Sequence, residues 1–284
     1  MTRDTGEHDR AYAAEVHHVQ VCGGGRLWAE HRGSGSPVVL LHGSGMDARL
    51  WDPIVPELAR RHSVVRFDAR GLGRSTPPRE PFNDMQDLIA VLDHFGLEQA
   101  ALVGLSAGGE TSLDLALAHP ARISALALLG TSVSGYTWPQ DPDTQAYAAA
   151  RRDRDAARLA ELELSIWAPL GVTAPGGELI EAMVADNAQR RVISEHHLTI
   201  ATGPDAIDHL DQINVPTLVL HGDHDHPQIA RIAHKLIADI PGARGETLTG
   251  ADHYLPLRVP ERLTELLLAH LPSHSDQQPT IHNY

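Results

Sequence analysis

Cysteine, aromatic residues and long apolar runs are all scarce in this sequence of 284 residues. Cys22 is the only cysteine, so no intramolecular disulfide can form and a secreted disulfide scaffold is excluded. Aromatic residues make up 4% of the chain, and no apolar run reaches the length of about 18 residues that indicates a transmembrane helix. Hydrophobic residues at 42% and charged residues at 21% are nevertheless typical of a globular chain, which excludes gross disorder and fibrous repeats.

Positive charge is also in short supply. Lys and Arg total 23 against 37 Asp and Glu, which gives a formal net charge of −14. Such a surface repels phosphate backbones and anionic lipids, so neither nucleic acid nor a membrane is expected as a partner. The polar segment Met1 to Glu15 lacks the apolar run of a secretory signal, and a cytoplasmic location is therefore expected.

Histidine, in contrast, is abundant, with 19 residues. It is the commonest metal ligand and the side chain that titrates near neutral pH. Composition alone therefore suggests an enzyme with either a metal site or an acid–base site, and only the positions of the histidines can decide between them.

Short apolar runs alternate with amphipathic stretches along the chain. This alternation predicts an α/β fold in which helices flank a mostly parallel central sheet. Two alternating segments, at about 16–22 and 26–32, predict an antiparallel leading hairpin. The buried strands are predicted at about 38–41, 64–67, 101–103, 123–129, 217–220 and 244–248. The helices are predicted at about 50–61, 84–95, 107–118, 227–240 and 259–271.

One interval, residues 134–204, contains helical patterns and no convincing strand. It is longer than an ordinary crossover needs, so we predict a helical cap inserted after the sixth strand. The predicted units are a flexible N-terminal segment 1–15, a core of 16–133 and 205–272, the cap 134–204 and a polar tail 273–284.

The clearest motif is G-x-S-x-G, formed by Gly104, Ser106 and Gly108. It stands where a predicted strand passes into a predicted helix, and its small residues permit a turn so sharp that the serine hydroxyl stands clear of the sheet. The alternative is a glycine-rich turn with a helix-capping serine. The strand before the motif and the helix after it favour a nucleophile.

A serine nucleophile needs a base and an acid that orients the base. His253 follows the predicted strand 244–248, in a loop from which it could reach Ser106. Two carboxylates, Asp223 and Asp225, follow the predicted strand 217–220 and compete for the role of the acid. The chain order of serine, aspartate and histidine is the one expected for this type of elbow.

These motifs resemble the α/β-hydrolase superfamily over roughly residues 20–271. The resemblance also rests on His42-Gly43-Ser44-Gly45 after one strand and on Asp68 to Ser75 after the next. It points to the branch with a serine nucleophile and looks most like the enol-lactonases and carboxylesterases.

The resemblance implies roles for particular residues. The family's acid usually stands three positions after a strand-ending glycine, which selects Asp225 over the alternative Asp223. The implied catalytic triad is therefore Ser106, Asp225 and His253. The implied oxyanion hole consists of the backbone N–H groups of Ser44 and Ala107.

The segment His221 to His226 contains candidate metal ligands. It approaches the H-x-H-x-D-H pattern of metallo-β-lactamase-type hydrolases, but Asp223 occupies the second histidine position. The segment also lies late in the chain, which leaves little room for the remaining ligands that such a hydrolase needs. No metal and no other cofactor are therefore expected, and a mononuclear site of His221 with Asp223 or Asp225 is the alternative.

The expected function is that of a serine hydrolase cleaving a carboxylic ester or lactone of a small to medium apolar substrate through an acyl-serine intermediate. An acyltransferase, a thioesterase or a carbon–carbon hydrolase would use the same triad, and a metallohydrolase or a non-catalytic ligand receptor are more distant alternatives. The candidate pocket residues are Tyr136, Trp138, Trp167, His197 and Tyr254.

Overall fold

A central sheet of eight strands organises the computed structural model, which describes residues 13–140, 142–193, 198–201 and 203–273. The spatial order of the strands is β1-β2-β4-β3-β5-β6-β7-β8. They are β1 (Glu15–Gln20), β2 (Arg26–Arg32), β3 (Ser36–Leu41), β4 (His62–Phe67), β5 (Ala100–Leu105), β6 (Ile123–Leu129), β7 (Thr217–Gly222) and β8 (Arg244–Leu248).

Strand β2 is antiparallel to both of its neighbours, β1 and β4, and the other neighbouring strands pair in parallel. The mostly parallel sheet with an antiparallel leading hairpin is thus confirmed. The hairpin's first strand begins one residue earlier than predicted and ends at Gln20, because Cys22–Gly24 form a short 3-10 turn.

The helices are α1 (Val55–Leu58), α2 (Asp84–His94), α3 (Ala107–Ala118), α4 (Pro142–Arg152), α5 (Ala156–Trp167), α6 (Gly177–Ile193), α7 (Pro227–Asp239), α8 (Leu255–Arg258) and α9 (Pro260–His270). Helices α4 to α6, called here the helical insertion, lie between β6 and β7. A helical insertion after the sixth strand is therefore present. No helix in the described part of the chain is long and apolar enough to cross a membrane.

Both faces of the sheet are buried. Successive strand residues point to opposite faces, so Val38 and Leu40 of β3 join one apolar cluster, whereas Val39 and Leu41 join another. The first cluster includes Leu263 of α9, and the second includes residues of α2, α3 and α7. Burial on both faces explains why the parallel strands are continuous apolar runs in the sequence.

The predicted helix at about 50–61 is wrong. The structure has a 3-10 turn at Ala48–Trp51 and only one helical turn at α1. Pro53 and Pro56 account for the difference, because proline lacks the N–H that a helix interior needs and its ring collides with the preceding turn. The predicted N-terminal segment and C-terminal tail fall largely on residues 1–12 and 274–284, which lie outside the described residues.

A buried ion pair connects the core to the segment between α5 and α6 of the helical insertion. Asp252 and Arg258 are both fully buried, and the guanidinium Nη2 of Arg258 donates to the carboxylate at 2.8 Å. Arg258 Nη1 also donates to the carbonyl of Pro175 at 2.8 Å, and the N–H of Leu170 approaches Asp252 Oδ2 at 3.4 Å. The pair therefore holds the segment after α5 against the loop that carries His253.

Removing one partner of this pair tests its importance. Arg258→Ala leaves the Asp252 charge buried without a counter-ion, which typically costs about 3–5 kcal/mol of the free energy of unfolding. Urea unfolding of the variant checks this value. The matched control is Arg262→Ala, which removes an exposed pair with Glu246 and should leave the unfolding midpoint nearly unchanged. Equal effects of the two substitutions would contradict this account.

Candidate active site

Ser106 occupies a strained turn between β5 and α3. Its backbone angles, a φ of 54° and a ψ of −120°, lie in a region that residues other than glycine rarely adopt. The turn is possible because a Cβ on Gly104 would lie 2.5 Å from the carbonyl oxygen of Gly108, and one on Gly108 would lie 2.3 Å from that of Leu41. Both positions therefore require glycine, as a nucleophile elbow does.

Hydrogen bonds fix the backbone of Ser106 on both sides. Its N–H donates to the carbonyl of Leu129 at 3.0 Å, and its own carbonyl accepts from the N–H of Gly109 at 2.9 Å and of Glu110 at 3.1 Å. With the backbone held in this way, the serine side chain faces a cavity of about 280 Å³ that His253 also lines.

The His253 imidazole is held by Asp225. Its Nδ1 lies 3.0 Å from both carboxylate oxygens, and the two side chains are only 2% and 0% exposed. The N–H of His226 donates to Asp225 Oδ1 at 2.7 Å, which fixes the carboxylate in turn. The structure therefore places Ser106 and His253 at one cavity, with the Asp225 carboxylate in contact with His253 and buried.

Gly130 is a site residue that the sequence reasoning missed. It follows β6 with a φ of +46°, and a Cβ there would lie 2.9 Å from Asp225 Oδ2 and 3.1 Å from His253 Nδ1. Only glycine leaves room for this contact. A glycine directly after a buried strand is the signal that could have indicated it.

Asp223, the competing acid, has a different position. Its Oδ1 accepts from the N–H of Gly250 at 2.8 Å and of Ala251 at 3.3 Å. It therefore holds the loop that leads to His253 and does not contact the imidazole. His221 lies elsewhere again, with its ring nitrogens near the carbonyl of Gly222 and the hydroxyl of Thr247.

The candidate metal ligands His221, Asp223 and Asp225 do not converge on one point. Within the described ranges, no group of three or more His, Cys, Asp or Glu side chains is placed to hold a metal ion. The alternative of a mononuclear site near His221 has no support in the positions of these side chains.

The loop after β3 lies directly beside the serine. A Cβ on Gly43 would lie 2.9 Å from the Cβ of Ser106. His42 fixes this loop, because its Nε2 accepts the N–H of Ala69 at 2.9 Å and its Nδ1 therefore donates to the carbonyl of Gly43 at 2.8 Å. Ser44 and Ala107, the predicted oxyanion residues, both line a second cavity of about 210 Å³ next to the first.

Two of the five predicted pocket residues, Trp138 and Trp167, line the cavity that contains Ser106. The centroid of the Trp167 ring lies 4.6 Å from that of the His253 ring. The backbone carbonyl of Trp167 accepts the backbone N–H of His253 at 3.2 Å. Tyr136 lies behind Trp138 and donates its hydroxyl to Gln228 at 2.6 Å.

The two remaining pocket candidates are Tyr254 and His197. Tyr254 does not face the cavity, because its side chain is completely buried in the core. The Tyr254 and His253 rings are nearly perpendicular, and their centroids lie 6.4 Å apart. His197 lies outside the described residues.

A buried polar network in the helical insertion covers the loop after β3. Glu163 accepts from Arg191 Nη1 at 2.9 Å and from the hydroxyl of Tyr147 at 2.6 Å. Burial, together with the Glu163 carboxylate, raises the pKa of Tyr147 above its usual value. A Cβ on Gly45 would lie 2.7 Å from Arg191 Nη1, so the network rests directly on the residue after Ser44.

The fold and the serine on its strand–turn–helix elbow are those of the α/β hydrolases. The model of the alpha/beta hydrolase family matches residues 38–266. The chain therefore belongs to this family and is an enzyme of the α/β-hydrolase superfamily.

Similar proteins include hydrolases of several kinds. RutD of Azorhizobium caulinodans, which is assigned as a carbamate hydrolase, is 28% identical over 257 residues, which are 85% of this chain and 93% of that protein. A thermophilic esterase from Thermogutta terrifontis has a sequence 25% identical to this chain, and its structure matches with a TM-score of 0.75. The match covers 90% of this chain and 97% of the esterase. The structure of an N-acyl homoserine lactone degrading enzyme is also 25% identical with a TM-score of 0.75, covering 90% and 100%.

The second cavity contains a carboxyl group with a displaced pKa. Asp84, at the start of α2, lines it beside Asp87, which is paired with Arg70. Burial and, to a smaller extent, the Asp87 and Glu110 carboxylates raise the pKa of Asp84 from 3.8 to about 6. The folded protein therefore holds a proton on Asp84 more tightly than the unfolded chain does.

Asp84→Asn tests this displacement. Because the folded-state pKa is the higher one, the wild type loses stability as the pH rises from about 4 to about 6, whereas Asn cannot titrate. The free energy of unfolding of the variant, relative to wild type, should rise by about 1–2 kcal/mol between about pH 4.5 and about pH 7.5, less than the full shift because water reaches the cavity. Urea unfolding at both pH values measures this, with Asp153→Asn, at an exposed position, as the control. A difference that does not change with pH would contradict the assignment.

Proposed function

We propose that this protein is a serine hydrolase that cleaves a carboxylic ester or lactone through an acyl-serine intermediate. The observation that carries the proposal is the contact of the His253 imidazole with the fully buried Asp225 carboxylate, at 3.0 Å, in the cavity that Ser106 faces from its strained turn. A serine hydroxyl becomes an effective nucleophile when a histidine oriented by a carboxylate takes its proton.

In the proposed mechanism each of these side chains has one role. Asp225 accepts the Nδ1–H of His253, which leaves Nε2 free to take the Ser106 proton as the hydroxyl oxygen attacks the carbonyl carbon. His253 then gives this proton to the leaving oxygen, so that the carbon–oxygen bond breaks and the acyl group stays on Ser106. In the second half, His253 takes a proton from water, the hydroxide attacks the acyl carbon, and Ser106 regains its proton as the acid leaves.

The backbone N–H groups of Ser44 and Ala107 are the proposed donors to the oxyanion. Ala107 begins α3, where the first N–H groups of a helix have no partner within the helix. Ser44 belongs to the loop that His42 and the Glu163–Arg191 pair hold against the elbow. A donor fixed before the reaction contributes about 3–4 kcal/mol to the stabilisation of the transition state.

The size of the cavity supports a small to medium substrate, and part of its lining is apolar, although charged side chains such as Arg151 and Arg191 also line it. Its volume of about 280 Å³ lies just below the usual range for small-molecule sites, about 300–1,000 Å³. Trp138, Ile166 and Trp167 supply apolar surface near the serine. The similarity to an esterase and to a lactone degrading enzyme supports carboxylic esters and lactones, and the similarity to a protein assigned as a carbamate hydrolase makes carbamates the second class to test.

Covalent labelling tests this function. A fluorophosphonate probe should label the wild type and not Ser106→Ala, because the probe reacts with an activated serine. The same substitution should lower kcat/KM for an aryl butyrate by about 10⁴-fold or more, as removal of a triad serine does. Ser165→Ala, at an exposed position of the helical insertion, is the matched control and should be labelled like the wild type.

Two results would contradict the proposal. The wild type could remain unlabelled, or Ser106→Ala could hydrolyse the ester as fast as the wild type. A panel of matched esters, lactones and aryl carbamates then ranks the substrate classes by kcat/KM.

A further inference from the structure

A second histidine lines the catalytic cavity and has no part in the proposed reaction. His226 directly follows Asp225, and its ring faces the cavity that Ser106 and His253 share. The ring is flanked by two indoles, with its centroid 5.9 Å from Trp138 and 5.4 Å from Trp167, and the interplanar angles are 50° and 46°. Trp138 and Trp167 are themselves in edge-to-face contact at 6.2 Å.

The start of α7 fixes the tautomer of this imidazole. His226 is the residue that caps α7, and its Nδ1 accepts the backbone N–H of Gln228 at 3.2 Å. A ring nitrogen that accepts a hydrogen bond carries no proton, and a neutral imidazole has only one, so the proton is on Nε2. His226 therefore holds a neutral N–H donor at the opposite side of the ring from the helix.

This donor is unpaired within the described part of the chain. Among the residues that the structure describes, none accepts a hydrogen bond from His226 Nε2. A ligand that displaces water from a polar group loses affinity unless it supplies the hydrogen-bond partner itself, so this N–H favours a ligand that carries an acceptor. The two indoles beside it provide flat apolar surface for the rest of such a ligand.

The position of His226 assigns it to one side of the substrate. The Trp167 ring contacts both imidazoles, that of His253 at 4.6 Å and that of His226 at 5.4 Å. In the proposed reaction His253 gives its proton to the leaving oxygen, so groups next to His253 face the leaving group. The oxyanion residues Ser44 and Ala107 both line the neighbouring cavity, and Ser44 lies between the two cavities because it lines this one as well.

We infer that His226, Trp138 and Trp167 form a leaving-group subsite for a flat, aromatic alcohol that carries a neutral hydrogen-bond acceptor, such as an ether or carbonyl oxygen. The acceptor binds His226 Nε2–H and the ring packs against the indoles. The inference rests on the proposed serine hydrolase function and names the class of ester that this site selects.

Two esters of nearly equal size and leaving-group basicity test the subsite. The para-methoxyphenyl and para-ethylphenyl esters of butyric acid differ mainly in the ether oxygen that can accept from His226. The wild type should prefer the methoxyphenyl ester, and loss of the donor should lower the ratio of the two kcat/KM values by about fivefold, the effect of one neutral hydrogen bond.

Two variants separate the donor from the other roles of the residue. His226→Phe keeps a ring between the indoles and removes the donor, whereas His226→Ser keeps a good helix cap and removes both ring and donor. The ratio should fall in both variants, and the loss should appear in KM. His224→Phe is the control, because His224 stands in the same turn with its side chain 54% exposed, outside the cavity, and should keep the wild-type ratio.

The outcomes distinguish this inference from the function on which it rests. If both His226 variants lower kcat/KM for the two esters equally, or leave the ratio unchanged, the subsite assignment is overturned while the serine hydrolase function stands. If the wild type hydrolyses neither ester and the fluorophosphonate probe does not label Ser106, the function itself fails and the subsite with it.

Discussion

The sharp turn at Ser106 is the constraint on which the site depends. A non-glycine residue at a φ of 54° persists only where its surroundings hold it, and here they do so from three strands. The turn packs against the end of β3 through Gly108, hydrogen-bonds to the end of β6 through Leu129, and is continuous with β5. Because parallel strands end at one edge of the sheet, the same packing brings together the loops that carry His253 and Asp225.

The helical insertion directly contacts both His253 and the loop after β3. Its helix α5 ends at Trp167, whose carbonyl accepts the His253 N–H and whose ring lies against the imidazole. The Asp252–Arg258 pair holds the following segment, and the Glu163–Arg191 pair rests on the loop after β3. In our account a displacement of the insertion would therefore disturb both the base and the proposed oxyanion hole.

Local sequence predicted the sheet and the insertion because strand burial and strand–helix alternation leave periodic patterns. The G-x-S-x-G context located the turn at Ser106. The residues alone left Asp223 and Asp225 open, and the resemblance to the α/β hydrolases selected Asp225, which the structure places against His253. Contacts between distant segments leave no such pattern. Nothing local to the Glu163–Arg191 pair indicates that it meets a loop more than a hundred residues away, and the sequence neighbour of His253, Tyr254, turns into the core because adjacent side chains diverge.

The most direct test of the central claim is the identity of the side chain that carries the acyl group during turnover. The wild type, mixed with an aryl butyrate and quenched rapidly in acid, can be digested and mapped by mass spectrometry. Our account predicts one butyryl group on the peptide that contains Ser106 and none on that peptide in Ser106→Ala. A butyryl group carried by another side chain during turnover would contradict it.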